Sequence, residues 1–533
     1  MQPFWTPKVA SSNKVASVPA PGGGLNARDS IVAMPETDAL VMQNWWPQPY
    51  GCTIRKGSRK WVTEVPDPVN SLAAWADVDG TQMMFAWAGT AFYDATTSGT
   101  AGVPLISTGI SSDIWESVVV SNAAGNSLIA LDGQDDGIIY TAGGGAQRIV
   151  LGDGIVANTW AGIDPQDAVC PTIHQHRLWV VEQETANGWF LPPDAVQGTF
   201  VKYDFGPLFS KGGFLQFLTT WTLDDGSGAT DHLIAVSSRG EAVVYQGTDP
   251  TDDTKWSLRG VYFIGAPVAG RRCFCKVAGD VYILSQQGVV SMGNCLTSTK
   301  VTQAQDKFVS DKIQFLLSEL ISYYSDLFGW DMKYFPKYNM LIVNVPAQSV
   351  GSNVQLACNQ ITGAWTEFRN MDASCWIAYG STPVFADYSG NVLLGWEGNL
   401  DYAESDGTGG QMIVTAVQQA YSYAGAPATQ KQVGMYRPVF IVGNEITIAS
   451  QIQYDFTEDY IPPVDPAPIT FSSLWGIGLW GTSTWGGGVH VQRQWIQANG
   501  MGVAASIRMV IQCQTEVLWV STDYSFISGP GWL

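Results

Sequence analysis

The chain has 533 residues, with 27 Lys and Arg against 47 Asp and Glu, a formal net charge of −20, and only 14% charged residues. This length exceeds what one hydrophobic core serves, and the acid excess excludes a basic domain that grips nucleic acid. A hydrophobic content of 46% with 22 Trp, 20 Tyr and 21 Phe excludes intrinsic disorder, which lacks the apolar surface to offset chain entropy.

Residues 1–21 carry Pro3, Pro7 and Lys8 where a secretory apolar run would build, so signal-directed export is not expected. The charge-light stretch 470–492 is broken by Gly476, Gly478, Gly481 and Gly486, and no membrane-spanning helix or membrane anchor is expected. The eight cysteines are scattered without the density of a disulfide scaffold and read as free, buried thiols made in a reducing cytoplasm.

From residue 61 onward, short apolar runs recur in pairs, each pair joined by a Gly-containing or polar turn. They are 85–88 with 91–93, 128–131 with 138–140, 178–181 with 189–191, 233–236 with 243–245, 281–284 with 289–290, 340–343 with 354–356, and 384–385 with 392–394. The starts of successive pairs lie 43 to 59 residues apart, enough chain for about four strands, which is the repeat of a β-propeller blade. A run of sandwich hairpins is the alternative. One segment breaks the pattern. Over 310–324, Ile313, Leu316, Leu317, Leu320, Ile321 and Tyr324 recur at intervals of three and four, predicting an amphipathic helix with Ser310 as its N-cap.

The acidic stretch before the glycines of 407–410 marks a boundary, after which strands are predicted at 412–417, 438–442, 446–454, 503–513 and 516–520. The expected fold is all-β: an N-terminal segment, 1–60, packing on the β domains, a propeller over 61–400 with a helical insertion at about 310–325, and a C-terminal antiparallel β domain over 401–533. In that last domain an uncharged Gly/Trp-rich loop carries Trp475, Trp480 and Trp485, the candidate oligomer interface, because such a surface needs a covering. The cover is either a neighbouring subunit or the loop's own domain.

Chemical motifs are weak. His174 and His176 share a strand face if the strand runs through both, but only two other histidines, His232 and His490, exist to complete a metal site. Cys273, Cys275 and Cys295 lack zinc or redox spacing. Asp132, Gln134 and Asp136 followed by Gly137 imitate half a calcium loop, but position twelve is Gly143 rather than a bidentate carboxylate, so a polar turn is expected. Gly476, Gly478 and Gly481 spell GxGxxG, yet the glycine-rich residues 482–488 cannot open a helix. No phosphate-loop or nucleophile-elbow motif occurs. With 47 acidic residues, a carboxylate pair of glycosidase type carries no information, and sialidase-type Asp boxes are missing. No catalytic residue, cofactor or metal is assigned, and the expectation is that the chain is not an enzyme.

Two groups of runs carry a resemblance. Gly22 through Asp29, Met34-Pro35, Asp38-Ala39, Asn44-Trp45-Trp46-Pro47 and Arg55-Lys56-Gly57 resemble the opening of tail proteins of short-tailed bacteriophages. Thr362 through Thr366, Cys375-Trp376 and Phe385 through Val392 are similar to the last propeller blade of the same group, the tail nozzle or tail tubular protein B family. The resemblance implies a structural virion protein, assembled in the host cytoplasm as a homohexameric ring below the head–tail adaptor protein. Tail fibre or tail needle proteins would be its other partners, and genomic DNA would pass through its channel during ejection without specific binding. A net charge of −20 repels phosphate, as an ungripping conduit requires, and low charge density suits permanent head-to-tail ring contacts. A carbohydrate-active or glycan-binding propeller, of tailspike or lectin type, is the alternative reading.

Overall fold

A computed structural model describes residues 13–224, 229–268, 270–297, 308–349, 352–427, 429–457, 459–465 and 489–529. The chain is all-β: a β-propeller joined to an antiparallel β sandwich, with a helical insertion.

Each predicted hairpin becomes the second and third strands of one propeller blade. In chain order, blade 1 is Val69–Ala76, Gln82–Ala88 and Ala91–Asp94, and blade 2 is Glu116–Asn122, Gly125–Leu131, Gly137–Thr141 and Gly145–Leu151. Blade 3 is Ala168–His174, Arg177–Glu182, Asn187–Phe190 and Val201–Asp204, and blade 4 is Leu215–Asp224, Ala229–Ser237, Glu241–Gly247 and Trp256–Phe263. Blade 5 has Phe274–Val277, Asp280–Ser285 and Gly288–Ser291, and blade 6 has Asp331–Phe335, Met340–Val345, Val354–Asn359 and Ala364–Phe368. Blade 7 takes Ala373–Tyr379, Thr382–Asp387 and Val392–Gly395, and its fourth strand is Ser58–Thr63, antiparallel to Val392–Gly395. Adjacent blades pack through their first strands around the ring, and blade 7 packs back on blade 1. Among the described residues, five blades thus have four strands and two have three.

The middle strands are apolar throughout because blades stack face to face and bury both sides: Leu128 to Leu131 and Leu233 to Val236 are fully buried. The expected boundary at residues 60 and 61 falls inside Ser58–Thr63, since the chain must return to this strand to close the ring.

Among the described residues blade 5 has no fourth strand, and the helical insertion packs beside its third. A short helix, α1, spans Met292–Thr297 directly after the third strand. Further on, Phe308 bridges to Val290, and the Val309 N–H donates to the Val289 carbonyl at 2.9 Å. A 3₁₀ turn, Asp311–Ile313, then leads into helix α2, Gln314–Tyr324. Ile313, Leu317 and Ile321 face the core, as the spacing predicts. Ser310 does not cap the helix with its side chain. Its hydroxyl instead accepts the Val289 N–H at 2.9 Å and ties the insertion to blade 5.

The sandwich draws on both ends of the described chain. One sheet pairs Val517–Ser528 with Lys431–Val442 along its whole length; its other edge is shared by Gly51–Ile54 and Lys14–Pro19. Trp45–Gln48 extends that edge. The second sheet runs Ala39–Gln43, Gln411–Gln419, Ala505–Cys513, Ile448–Tyr454. Trp45, Tyr436, Phe440, Ile507, Ile511 and Trp519 belong to the shared core. Ala39–Gln43 also pairs in parallel with blade 6 through Gln43 and Glu367, making propeller and sandwich continuous.

Candidate functional site: the axial channel and the propeller–sandwich joint

A propeller's first strands surround its axis, and here they line two open cavities of about 630 and 510 Å³. Every blade contributes: Leu72, Glu116, Cys170, Gln216, Phe274, Lys333 and Ile377 are one lining residue from each. Glu116, Arg271 and Arg272 line both cavities, so these three charged side chains stand between the two on the propeller axis.

Local structure fixes these groups. Glu116 opens the first strand of blade 2, and its carboxylate accepts the Cys170 N–H at 3.1 Å. Burial raises its pKa, opposed by Arg271, Arg272, that N–H and Lys333. Arg272 donates to the carbonyls of Asn70 at 2.9 Å and Trp115 at 3.0 Å and to the Ser71 hydroxyl at 2.5 Å, with Phe328 5.5 Å from its guanidinium. Arg271 donates to the Asp132 carbonyl at 3.3 Å. Lys276 and Lys333 point into the 510 Å³ chamber, where desolvation lowers the Lys276 pKa against the pull of Asp231.

Residues singled out from the sequence fare differently. The blade 3 strand ends at His174, which is buried with Nδ1 3.3 Å from the Thr220 hydroxyl, and Gln175 and His176 form a tight turn with φ of 50° and 58°. His176 is exposed beside Asp194 at 3.4 Å, so the two imidazoles do not converge. All eight cysteines are buried thiols outside any disulfide, and burial raises the thiol pKa of Cys375 and Cys513 to about 11. Asp132 accepts the N–H groups of Gln134 at 3.0 Å and Asp135 at 2.9 Å, which is the geometry of a polar turn. Among the described residues, no group of three or more His, Cys, Asp or Glu is arranged to hold a metal ion, and no helix is long and apolar enough to cross a membrane. Trp475, Trp480 and Trp485 lie outside the described residues.

The runs that carry the phage resemblance come together. The Leu25 N–H donates to the Trp365 carbonyl at 2.7 Å, joining the first group to the second across 340 residues. The Lys312 ammonium donates to the Gly23 carbonyl at 3.0 Å and the Asp38 carboxylate at 2.9 Å, and Arg28 pairs with Asp311, so the insertion docks on the same loop. Asn44 and Arg55 form a buried hub. Arg55, fully enclosed with Asp401, donates to both Asp401 oxygens at 2.7 and 2.6 Å, to Asn44 at 2.8 Å, and to the carbonyls of Lys56 at 3.0 Å and Arg369 at 2.8 Å. Asn44 also accepts the Arg369 N–H and donates to the Val414 carbonyl, both at 2.8 Å. This hub ties the end of blade 6 to the strand leading into the sandwich.

Sequence reasoning missed the channel cluster. Its one local signal is the Arg271-Arg272 doublet in a chain with little charge; that Glu116 faces it depends on the blade order alone.

The fold and channel define a β-propeller protein with an attached β sandwich. No family model matches the chain, and no curated protein does. Among solved structures it is similar to a chain of the crystal structure of BBS1N in complex with ARL6DN, soaked with mercury, at 11% identity and a TM-score of 0.37, over 64% of this chain and 98% of that one. It is also similar to the computationally designed Ika8 protein, at 8% identity and a TM-score of 0.35, over 63% of this chain and 99% of that one.

Proposed function

We propose that this chain is the nozzle subunit of a short bacteriophage tail: a structural protein that forms a sixfold ring below the head–tail adaptor and lets the genome pass. The observation that carries the reading is the convergence of the resembling runs. Residues 22–29, 44–47, 55–57 and 362–366 meet at one joint, held by Leu25 on Trp365 and by the buried Arg55–Asp401 pair. A ring under load during genome ejection needs its two β bodies held at a fixed angle, and a buried bidentate ion pair serves geometric uniqueness better than it serves stability.

Charge supports the same reading, because a net −20 per subunit gives a bore that repels the DNA backbone. Glu116, Arg271 and Arg272 stand on the propeller's own axis, so the conduit is the bore between subunits rather than the axis of one propeller. Mass measurement and negative-stain imaging of the purified chain, alone and mixed with a head–tail adaptor ring, test the proposal. The expected result is a closed sixfold ring with a central bore; a persistent monomer in the presence of the adaptor overturns it.

A further inference from the structure

The 510 Å³ chamber is lined by six acidic or basic side chains: Arg271, Arg272, Lys276, Lys333, Glu116 and Asp331. Four cations against two carboxylates leave a surplus of two positive charges, in a chain whose net charge is −20. The surplus is not neutralised from within. Arg271 makes one long hydrogen bond, to a carbonyl, and no ion pair among the described residues, which leaves most of its five N–H donors unused. Lys333 lies 3.5 Å from Asp331, whose other oxygen is occupied by the Trp376 N–H at 2.9 Å. Lys276 has no ion-pair partner among the described residues, and desolvation already disfavours its charge. Arg272, in contrast, is held rigid by three protein acceptors.

We infer that this chamber binds a small ligand through one phosphate group. Its volume falls in the range of small-molecule sites, about 300–1,000 Å³. A phosphate monoester carries about −1.5 to −2 charge at neutral pH, matching the surplus, and its three oxygens suit a mixture of guanidinium and ammonium donors. Low-dielectric channel walls focus the positive potential on this one position. Half-buried Tyr334 lines the same chamber and is available to the rest of the ligand. The site is independent of the ring proposed above.

Isothermal titration of the full-length protein at low salt, with inorganic phosphate, glucose 6-phosphate and glucose, tests the inference. The expected result is saturable one-to-one binding of a phosphate species with a Kd of about 10 μM to 1 mM, weakening as salt rises, and no binding of glucose. Tighter binding of glucose 6-phosphate assigns an ester as the ligand; equal or tighter binding of inorganic phosphate assigns the free ion. R271Q and K276Q are each expected to weaken binding at least about tenfold without moving the thermal unfolding midpoint. No saturable binding by the wild type, or folded R271Q and K276Q proteins with wild-type Kd, overturns it.

Discussion

Replacing Arg55 with methionine keeps the volume of the hub and removes its charge. In the native fold Arg55 makes five hydrogen bonds, two of them to Asp401, and neither side chain is exposed. R55M leaves the Asp401 carboxylate buried with no countercharge, a situation that costs about 3–5 kcal/mol. The carbonyls of Lys56 and Arg369 lose a donor as well, at about 1 kcal/mol each when water cannot replace it. The double variant R55M/D401L removes the orphaned charge and keeps only the loss of the hydrogen bonds to Asn44 and the two carbonyls, so it is expected to be more stable than either single variant. Equilibrium urea unfolding followed by tryptophan fluorescence measures this directly, since Trp46 and Trp396 pack against Phe368, the ring beside the Arg55 guanidinium. An R55M cost below about 1 kcal/mol, or a double variant that costs the sum of the two singles, refutes the claim that the joint depends on mutual charge compensation.

Burial depresses the His174 pKa to about 4 from an ordinary 6.5, with Asp231 opposing the shift. The unfolded chain therefore binds the extra proton first, and stability from this residue is complete above about pH 6.5 and lost as pH falls to about 4, by about 3 kcal/mol over the interval. H174Q should flatten the wild-type fall in stability across that window in urea titrations, and an identical pH slope for the two proteins counts against it. Gly24 has φ +80°, and a Cβ there would lie 2.5 Å from the Trp365 carbonyl oxygen; one on Gly57 would lie 1.8 Å from the Leu400 carbonyl oxygen. G24A and G57A are each expected to lose more than about 1 kcal/mol, whereas G143A, with open space around it, should stay within about 0.5 kcal/mol. Equal unfolding midpoints for all three refute the close-approach argument.

The propeller was legible because its middle strands carry a strong local signal. Runs such as 233–236 and 243–245 are buried on both faces and joined by a tight turn, so composition alone marks them. Outer strands are not marked so clearly: Trp256–Phe263 is buried only at Trp256 and exposed or half-buried over the rest of its length, and only its pairing with Glu241–Gly247 makes it part of blade 4. Ring closure by Ser58–Thr63 depends on a partner more than 300 residues away, which no window of sequence reports. The pairing of His174 with His176 failed for a local reason, since the strand stops at His174 and two left-handed residues turn the chain. Similarly, the doublet Arg271-Arg272 is visible as charge, but its meaning depends on the blades that face it.

The sandwich has a consequence for how the chain is made. Lys14–Pro19 pairs with Val517–Ser528, and the hairpin of Trp45–Gln48 and Gly51–Ile54 joins its sheet through the same strand, so about 460 residues of translation separate the early strands from that partner. At about 5–20 residues per second the ribosome leaves those edges unsatisfied for tens of seconds, and Ser58–Thr63 must likewise wait for Val392–Gly395. A nascent chain that stalls before Val392–Gly395 emerges thus holds an open ring as well as an unsealed sandwich, whereas one that stalls later can close the ring while the sandwich still waits for Val517–Ser528.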